Sequence, residues 1–242
     1  MSRRLEDLPS VSYEILGMYP HDEKIFTQGL CFAGETLIES GGGYGESTLR
    51  SYRTRPPEIL RGMALAAELF GEGICAVSDR MVWQLTYQEY KALLIDVETM
   101  SVQREVEYMS EGWGLCASGN LAYSTDGSDR LTVRDLESLD LVDEVVIENA
   151  TRGMNDLAFV GDHLWANVPR SWKIMRIDLH MACADAVLDC RSFFASSEPD
   201  RDMTTTYGAN GVVEDPAHPG ALLVTGKLWP WMYSVRPFEK TA

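Results

Sequence analysis

Several classes of protein are closed off by what the 242-residue sequence lacks. Its cysteines number only five (Cys31, Cys75, Cys116, Cys183 and Cys190), an odd count with no C-x-x-C pair. That is at odds with a disulfide framework or a zinc knuckle. They are read as reduced, mostly buried thiols, with Cys183 and Cys190 the one pair to inspect for a disulfide. The four histidines, His21, His163, His180 and His218, share no metal-ligand spacing, so neither a metal nor another cofactor is expected. Positive charge is scarce: 21 lysines and arginines face 37 acidic residues, a net charge of −16. Phosphate contacts need a basic surface, so a nucleic-acid partner is excluded. No apolar run approaches the roughly 18 residues of a membrane helix. The opening MSRRLEDLPS leads into no apolar core of signal-peptide length, so the expectation is a cytoplasmic chain without a membrane partner.

What the sequence does have is a repeat. Five segments share a small or polar residue, a Gly or Asp, an apolar run, a turn and a second apolar strand: TQGLCFAGETLIES, GEGICAVSDRMVWQL, GWGLCASGNLAYST, MNDLAFVGDHLWAN and ANGVVEDPAHPGALLVT. Aligned on Gly29, Gly73, Gly114, Asp156 and Gly211, they recur at intervals of 44, 41, 42 and 55 residues. About forty residues for a four-stranded unit is the period of a propeller blade. The expected fold is therefore all-β, a five-bladed β-propeller forming a single domain over 1–242, with residues 1–10 a disordered or extended lead-in. The fifth unit lacks a fourth strand, and Val11–Met18 is expected to supply it, closing the ring and removing two sheet edges. An open solenoid would need capping repeats that are not present. The longest interval contains SSEPDRDMTTTYG, read as a polar loop insertion.

Equivalent positions in a propeller lie at equivalent radii. The residues just before the aligned Gly or Asp, namely Gln28, Glu72, Trp113, Asn155 and Asn210, should therefore ring one end of the central channel. Divergence of this position into amides, one carboxylate and one indole points to a site. The same residues would also suit the lining of a water-filled channel. A lone carboxylate among amide donors and an aromatic is suited to acid/base work, because burial raises its pKa and neutral donors stabilise an oxyanion. Lys227 follows the apolar run Ala221–Thr225 and a glycine, which allows either an inward or a solvated side chain. His21 with Asp22 is read as ordering the lead into the first unit. The GGGYG run at 41–45 lacks the GK[ST] of a phosphate loop and is read as a loop at the channel rim. Thr125–Ser128 reads as turn chemistry, with too few carboxylates for calcium.

Ten strings, PHDEKIFTQGL, ESGGGYGESTLR, FGEG, QLTY, EGWGL, STDGSDRL, MNDLAF, WANV, RID and VTGKLWP, occur in this order from about Tyr19 to Pro230. Together they resemble the plant and bacterial glutaminyl cyclases, or glutamine cyclotransferases. The resemblance implies a five-bladed propeller that converts an N-terminal glutamine to pyroglutamate with loss of ammonia, without a metal. It implies Glu72, in FGEG, as the acid/base carboxylate. Lys227, Gln28 and Asn155 would hold carbonyls and developing negative charge, and Phe26, Phe70 and Trp113 would form apolar walls.

The chain departs from the family pattern at three places. Tyr87 stands where the family reads QLTW. Pro169 stands where it reads ANVW, with Trp172 expected to refill part of that gap. NELE has become Asn155, Asp156, Leu157 and Ala158, which shortens or removes the acidic residues behind the site. Tyr87 and Asn210 complete the expected substrate-binding set. The substrate is then a peptide N-terminus or a glutamine-like molecule, small or carrier-bound, and a non-catalytic propeller binding a ligand over its channel is the competing reading.

Overall fold

The inner strands of each repeat are rich in small and apolar residues, whereas five of the seven residues of an outer strand such as SVQREVE are polar or charged. Buried strands therefore lie toward one axis and exposed strands at the periphery. The computed structural model describes residues 4–54, 57–150 and 152–239. Residues 1–3 of the expected lead-in and 240–242 lie outside them. Strand β1 (Ser12–Pro20) precedes the first complete sheet, formed by β2 (Thr27–Ala33), β3 (Thr36–Gly41), β4 (Thr48–Thr54) and β5 (Pro57–Ala64). The second contains β6 (Gly71–Ala76), β7 (Met81–Thr86), β8 (Lys91–Asp96) and β9 (Ser101–Glu107). The third contains β10 (Leu115–Ser118), β11 (Leu121–Thr125), β12 (Arg130–Asp135) and β13 (Leu141–Val146). The fourth contains β14 (Leu157–Val160), β15 (His163–Asn167), β16 (Lys173–Asp178) and β17 (Cys183–Asp189). The last comprises β18 (Ala209–Glu214), β19 (Leu222–Gly226) and β20 (Trp231–Phe238), with β1 as its outer strand. The sheets are the five blades of a β-propeller, as the repeat predicts.

The five innermost strands pack on one another in a closed circuit, β2 on β6, β6 on β10, β10 on β14, β14 on β18 and β18 on β2. The aligned glycines allow this approach. A Cβ on Gly73 would lie 2.5 Å from the amide nitrogen of Leu115, and one on Gly114 would collide with the carbonyl oxygen of Asn155. In the fourth blade Asp156 takes the glycine's place, and its fully buried carboxylate accepts the N–H of Val212 at 2.9 Å. The inner strands of the first, second and last blades are each irregular beside the aligned glycine: the register shifts between Thr27 and Gly29, Gly71 and Ile74, and Ala209 and Val212. A bulge re-aims the side chain next to it, and at these three it acts on Gln28, Glu72 and Asn210.

Ring closure occurs as expected, with β1 paired antiparallel to β20 from Ser12 opposite Phe238 to Pro20 opposite Trp231. The lead-in differs from expectation. Leu5–Asp7 form a turn of 3-10 helix, and Leu5 and Leu8 are buried among Ile147, Ala150 and Val187. Burying two leucines stabilises the segment by about 1.5–3 kcal/mol each, which is the physical reason it is anchored. The insertion between β17 and β18 also differs in part. It begins with helix α1 (Arg191–Ser197), which buries Phe193 and Phe194, and becomes the expected turns only after residue 197. All five cysteines are free, including Cys183 and Cys190.

Candidate active site

At one end of the channel, the residues selected from the sequence line a cavity of about 350 Å³. Gln28, Glu72, Trp113, Asn155, Asn210, Lys227, Phe26, Phe70 and Tyr87 all contribute to its wall, joined by Pro169, Arg170 and Tyr207. The innermost layer is polar and buried. Asn210 Nδ2 donates to the Gln28 side-chain oxygen at 3.0 Å and to the carbonyl of Thr27 at 2.8 Å. Gln28 Nε2 in turn donates to Glu72 Oε1 at 2.9 Å. This chain of amides runs through three bulged strands and fixes which end of Gln28 faces the carboxylate. Gln28 is thus engaged with Glu72 and keeps one N–H for a ligand. Asn155 has no protein partner for its Oδ1, which leaves that oxygen as an acceptor for an N–H of a bound molecule.

Glu72 is 5% exposed. Burial pushes its carboxyl well above the ordinary range, the positive charge of Lys227 opposes the rise, and Asp156, Glu89 and Glu111 add to it. Burial also lowers the Lys227 ammonium, against the pull of Glu72. The two influence each other across the cavity, and among the described residues no contact ion pair joins them. A carboxyl held toward its protonated form and an amine held toward its neutral form, with space between, can relay protons to and from a molecule bound there.

The walls are aromatic. Tyr207 meets Phe26 edge-on at 5.3 Å, and Tyr44, Phe70, Tyr87 and Trp113 follow one another at 5.4, 5.8 and 6.2 Å between ring centroids. The edge of the Phe70 ring abuts Gly42, where a Cβ would collide with it, and Tyr44 of the same GGGYG run packs on Phe70, which sets the run beside the cavity wall. Trp113 donates its indole N–H to Glu111 at 3.2 Å. Lys227 lies over the Phe26 ring, 4.5 Å from its centroid.

Lys227 is carried by a tight loop whose next residue, Leu228, has φ of 60° and donates its N–H to the carbonyl of Ile25 at 2.9 Å. Behind that loop, His21 Nδ1 donates to the carbonyl of Trp229 at 2.6 Å, and Nε2 faces Glu39 Oε1 at 2.8 Å. Thr27 donates its hydroxyl to the same carboxylate oxygen at 2.7 Å. Burial alone would lower the His21 pKa, but the charge and hydrogen bond of Glu39 with the Trp229 carbonyl raise it. Burial would raise that of Glu39, and the charge and hydrogen bond of His21 with the Thr27 hydroxyl lower it. Both shifts favour the charged forms, and the buried His21–Glu39 pair, with Thr27, ties the Lys227 loop to the strand that carries Gln28.

Sequence reasoning overlooked Arg170, Tyr207 and the His21–Glu39 pair. Tyr207 ends the insertion three residues before Asn210, a position from which it had to reach the site. Trp172 does not refill the gap beside Pro169. It is buried, stacked on Trp229 at 5.3 Å and against Phe194, because the 169–172 turn directs it into the seam between the last two blades. The acidic residue after Asn155 is retained in shorter form, as the buried Asp156. Among the described residues, no group of three His, Cys, Asp or Glu side chains is placed to hold a metal ion.

The glutamine cyclotransferase family model matches residues 2–237. A glutaminyl-peptide cyclotransferase of Arabidopsis thaliana is 30% identical over 255 aligned positions that cover 100% of this chain and 75% of that protein. The crystal structure of Myxococcus xanthus glutaminyl cyclase superposes with a TM-score of 0.84 at 25% identity, covering 97% of this chain and 100% of that one. With fold and sequence in agreement along nearly the whole length, the chain belongs to the glutamine cyclotransferase family and is an acyltransferase-type enzyme.

Proposed function

We propose that the chain converts an N-terminal or small-molecule glutamine to its pyroglutamyl lactam, releasing ammonia, by proton transfer through its own side chains and without a metal. The observation that carries this reading is the buried Glu72, hydrogen-bonded by Gln28 and facing Lys227 across an aromatic cavity. The substrate's α-amine attacks the carbon of its own side-chain amide. Because the attack is intramolecular, the walls need only hold the side chain folded back on the amine. Glu72, as carboxylate, takes a proton from the attacking nitrogen as the C–N bond forms. The carbonyl oxygen becomes an oxyanion, and the Asn155 amide, the remaining Gln28 N–H and Lys227 are its available donors. Glu72 then returns the proton to the departing nitrogen. The second C–N bond breaks, the carbonyl reforms, and ammonia leaves. Closure by Phe26, Phe70, Tyr87 and Trp113 excludes water that would compete as nucleophile.

The test is to incubate the purified protein with glutaminyl peptides and glutamine amides, with and without exhaustive chelation. Ammonia and N-terminally blocked product should appear in equal amounts, unaffected by the chelator. Binding of these compounds with no ammonia released would instead favour a non-catalytic propeller.

A further inference from the structure

Arg170 sits at the mouth of the cavity, exposed, in the turn between β15 and β16. Its backbone φ of 53° follows Pro169, whose ring limits its own φ. The turn is closed by the N–H of Val168 donating to the carbonyl of Lys173 at 3.0 Å. Gly208 packs so tightly on the backbone of Ser171 that no side chain fits there. The base of Arg170 is therefore held in place by its own turn and by the insertion.

Its positive charge acts to lower the pKa values of Lys227 and Tyr87, but its guanidinium is unpaired. Arg50, Arg80, Arg176 and Arg201 each pair with a carboxylate, but among the described residues Arg170 has neither an ion pair nor a hydrogen bond. Of the rim acids, Glu89 accepts from Tyr44 and from the N–H of Phe70, and Glu111 accepts from Gln88 and Trp113. In a chain of net charge −16, an unpaired guanidinium at the mouth is a local positive charge that can attract an anion. Its planar fork matches a carboxylate.

We propose that Arg170 is a specificity residue that binds a carboxylate on the substrate just beyond the cyclising side chain, so that glutaminyl compounds with an acidic group there are preferred. This rests on the cyclase reading: the reacting amine and amide occupy the buried end beside Glu72, and an exposed group at the mouth can meet only the part of the substrate that projects out of the cavity. The carboxylate has two sources to distinguish, the side chain of an acidic second residue and the α-carboxylate of free glutamine.

The experiment compares kcat/KM at low salt for matched peptide amides beginning Gln-Glu and Gln-Gln, and for glutamine against glutamine amide, in the wild type and Arg170→Gln. The expected result is a preference of about 10-fold or more for the acidic member of at least one pair, in line with a charge-assisted hydrogen bond. That preference falls toward unity in R170Q and weakens with added salt. The pair that shows it identifies the source of the carboxylate. Equal kcat/KM within both pairs in the wild type, or the same preference in R170Q, overturns the proposal. If nothing is cyclised, the cyclase reading has failed. Titrating the same compounds against the tryptophan fluorescence of both proteins then decides for Arg170 alone: preferential binding of the acidic member that R170Q loses sustains it, and its absence overturns it.

Discussion

Glu72 and Lys227 are each defined by the other. The charge of Lys227 favours the ionised form of Glu72 and partly offsets its burial, so removing that charge must raise the carboxyl pKa further. In Lys227→Met, the limb of the pH–rate profile on which activity rises as Glu72 ionises should move to higher pH, and kcat should fall at every pH. A profile of unchanged shape with lower amplitude would confine Lys227 to binding. The His21–Glu39 pair makes a separate prediction, for stability. A raised histidine contributes below its unfolded pKa, about 6.5, and loses that contribution as pH rises through its folded value. A depressed glutamate contributes above its unfolded pKa, about 4.3, and loses that contribution as pH falls through its folded value. The pair is therefore worth most between those two values. His21→Gln leaves Glu39 buried without its counter-charge, which costs about 3–5 kcal/mol. Denaturation at several pH values should show that gap to be widest near the middle of the window and to narrow in alkali. A gap independent of pH would mean that His21 acts through packing alone. Glu72 was legible because it occupies a repeat position and a recognisable string. Glu39 was not, since within TLIES it reads as an ordinary surface residue, and its burial depends on a partner 18 residues away.

A strand can aim a side chain at the axis only if its neighbours permit the approach, which is the work of the aligned glycines. Gly114 lies against the carbonyl of Asn155, so the same spacing that closes the ring also places one of the candidate oxyanion donors. Gly114→Ala must push β10 away from the segment before β14. Overpacking of this kind costs about 1–3 kcal/mol; at about 2–4 °C per kcal/mol for a domain of this size, the melting temperature should drop measurably. Activity should fall by more than the lost stability explains, because Asn155 moves with its backbone. A variant with wild-type melting and turnover would show that the contact is not tight. The period-two strands and their turns were readable from apolar runs and Gly or Asp punctuation. Helix α1 was hidden because its two phenylalanines are adjacent and give no helical period. The Pro169–Arg170 turn and Tyr207 lie off the repeat, where alignment of equivalent positions carries no information, and Trp172 was misassigned for that same reason.

At the scale of the molecule, five copies of one unit carry different side chains at the position that faces the cavity: Gln28, Glu72, Trp113, Asn155 and Asn210. The architecture was visible in the sequence because intervals of 41 to 55 residues leave room for four strands and little else. It was also visible because VSYEILGMYP is the apolar segment left over to complete the last blade. Closing the ring through β1 and β20 brings the first blade beside the last, and only then do Gln28 and Lys227, 199 positions apart in the sequence, face one cavity. The ring places one carboxyl, that of Glu72, in the cavity wall beside the Gln28 amide and facing Lys227, and the proposed chemistry uses that carboxyl to move a proton. Glu72→Gln keeps the shape and the hydrogen-bonding reach of the side chain while removing its ionisation. Ammonia release from a glutaminyl peptide, measured for wild type and E72Q at matched folding by circular dichroism, should fall by about two to four orders of magnitude, the usual worth of a general acid/base. Turnover by E72Q within a few-fold of wild type would contradict the account.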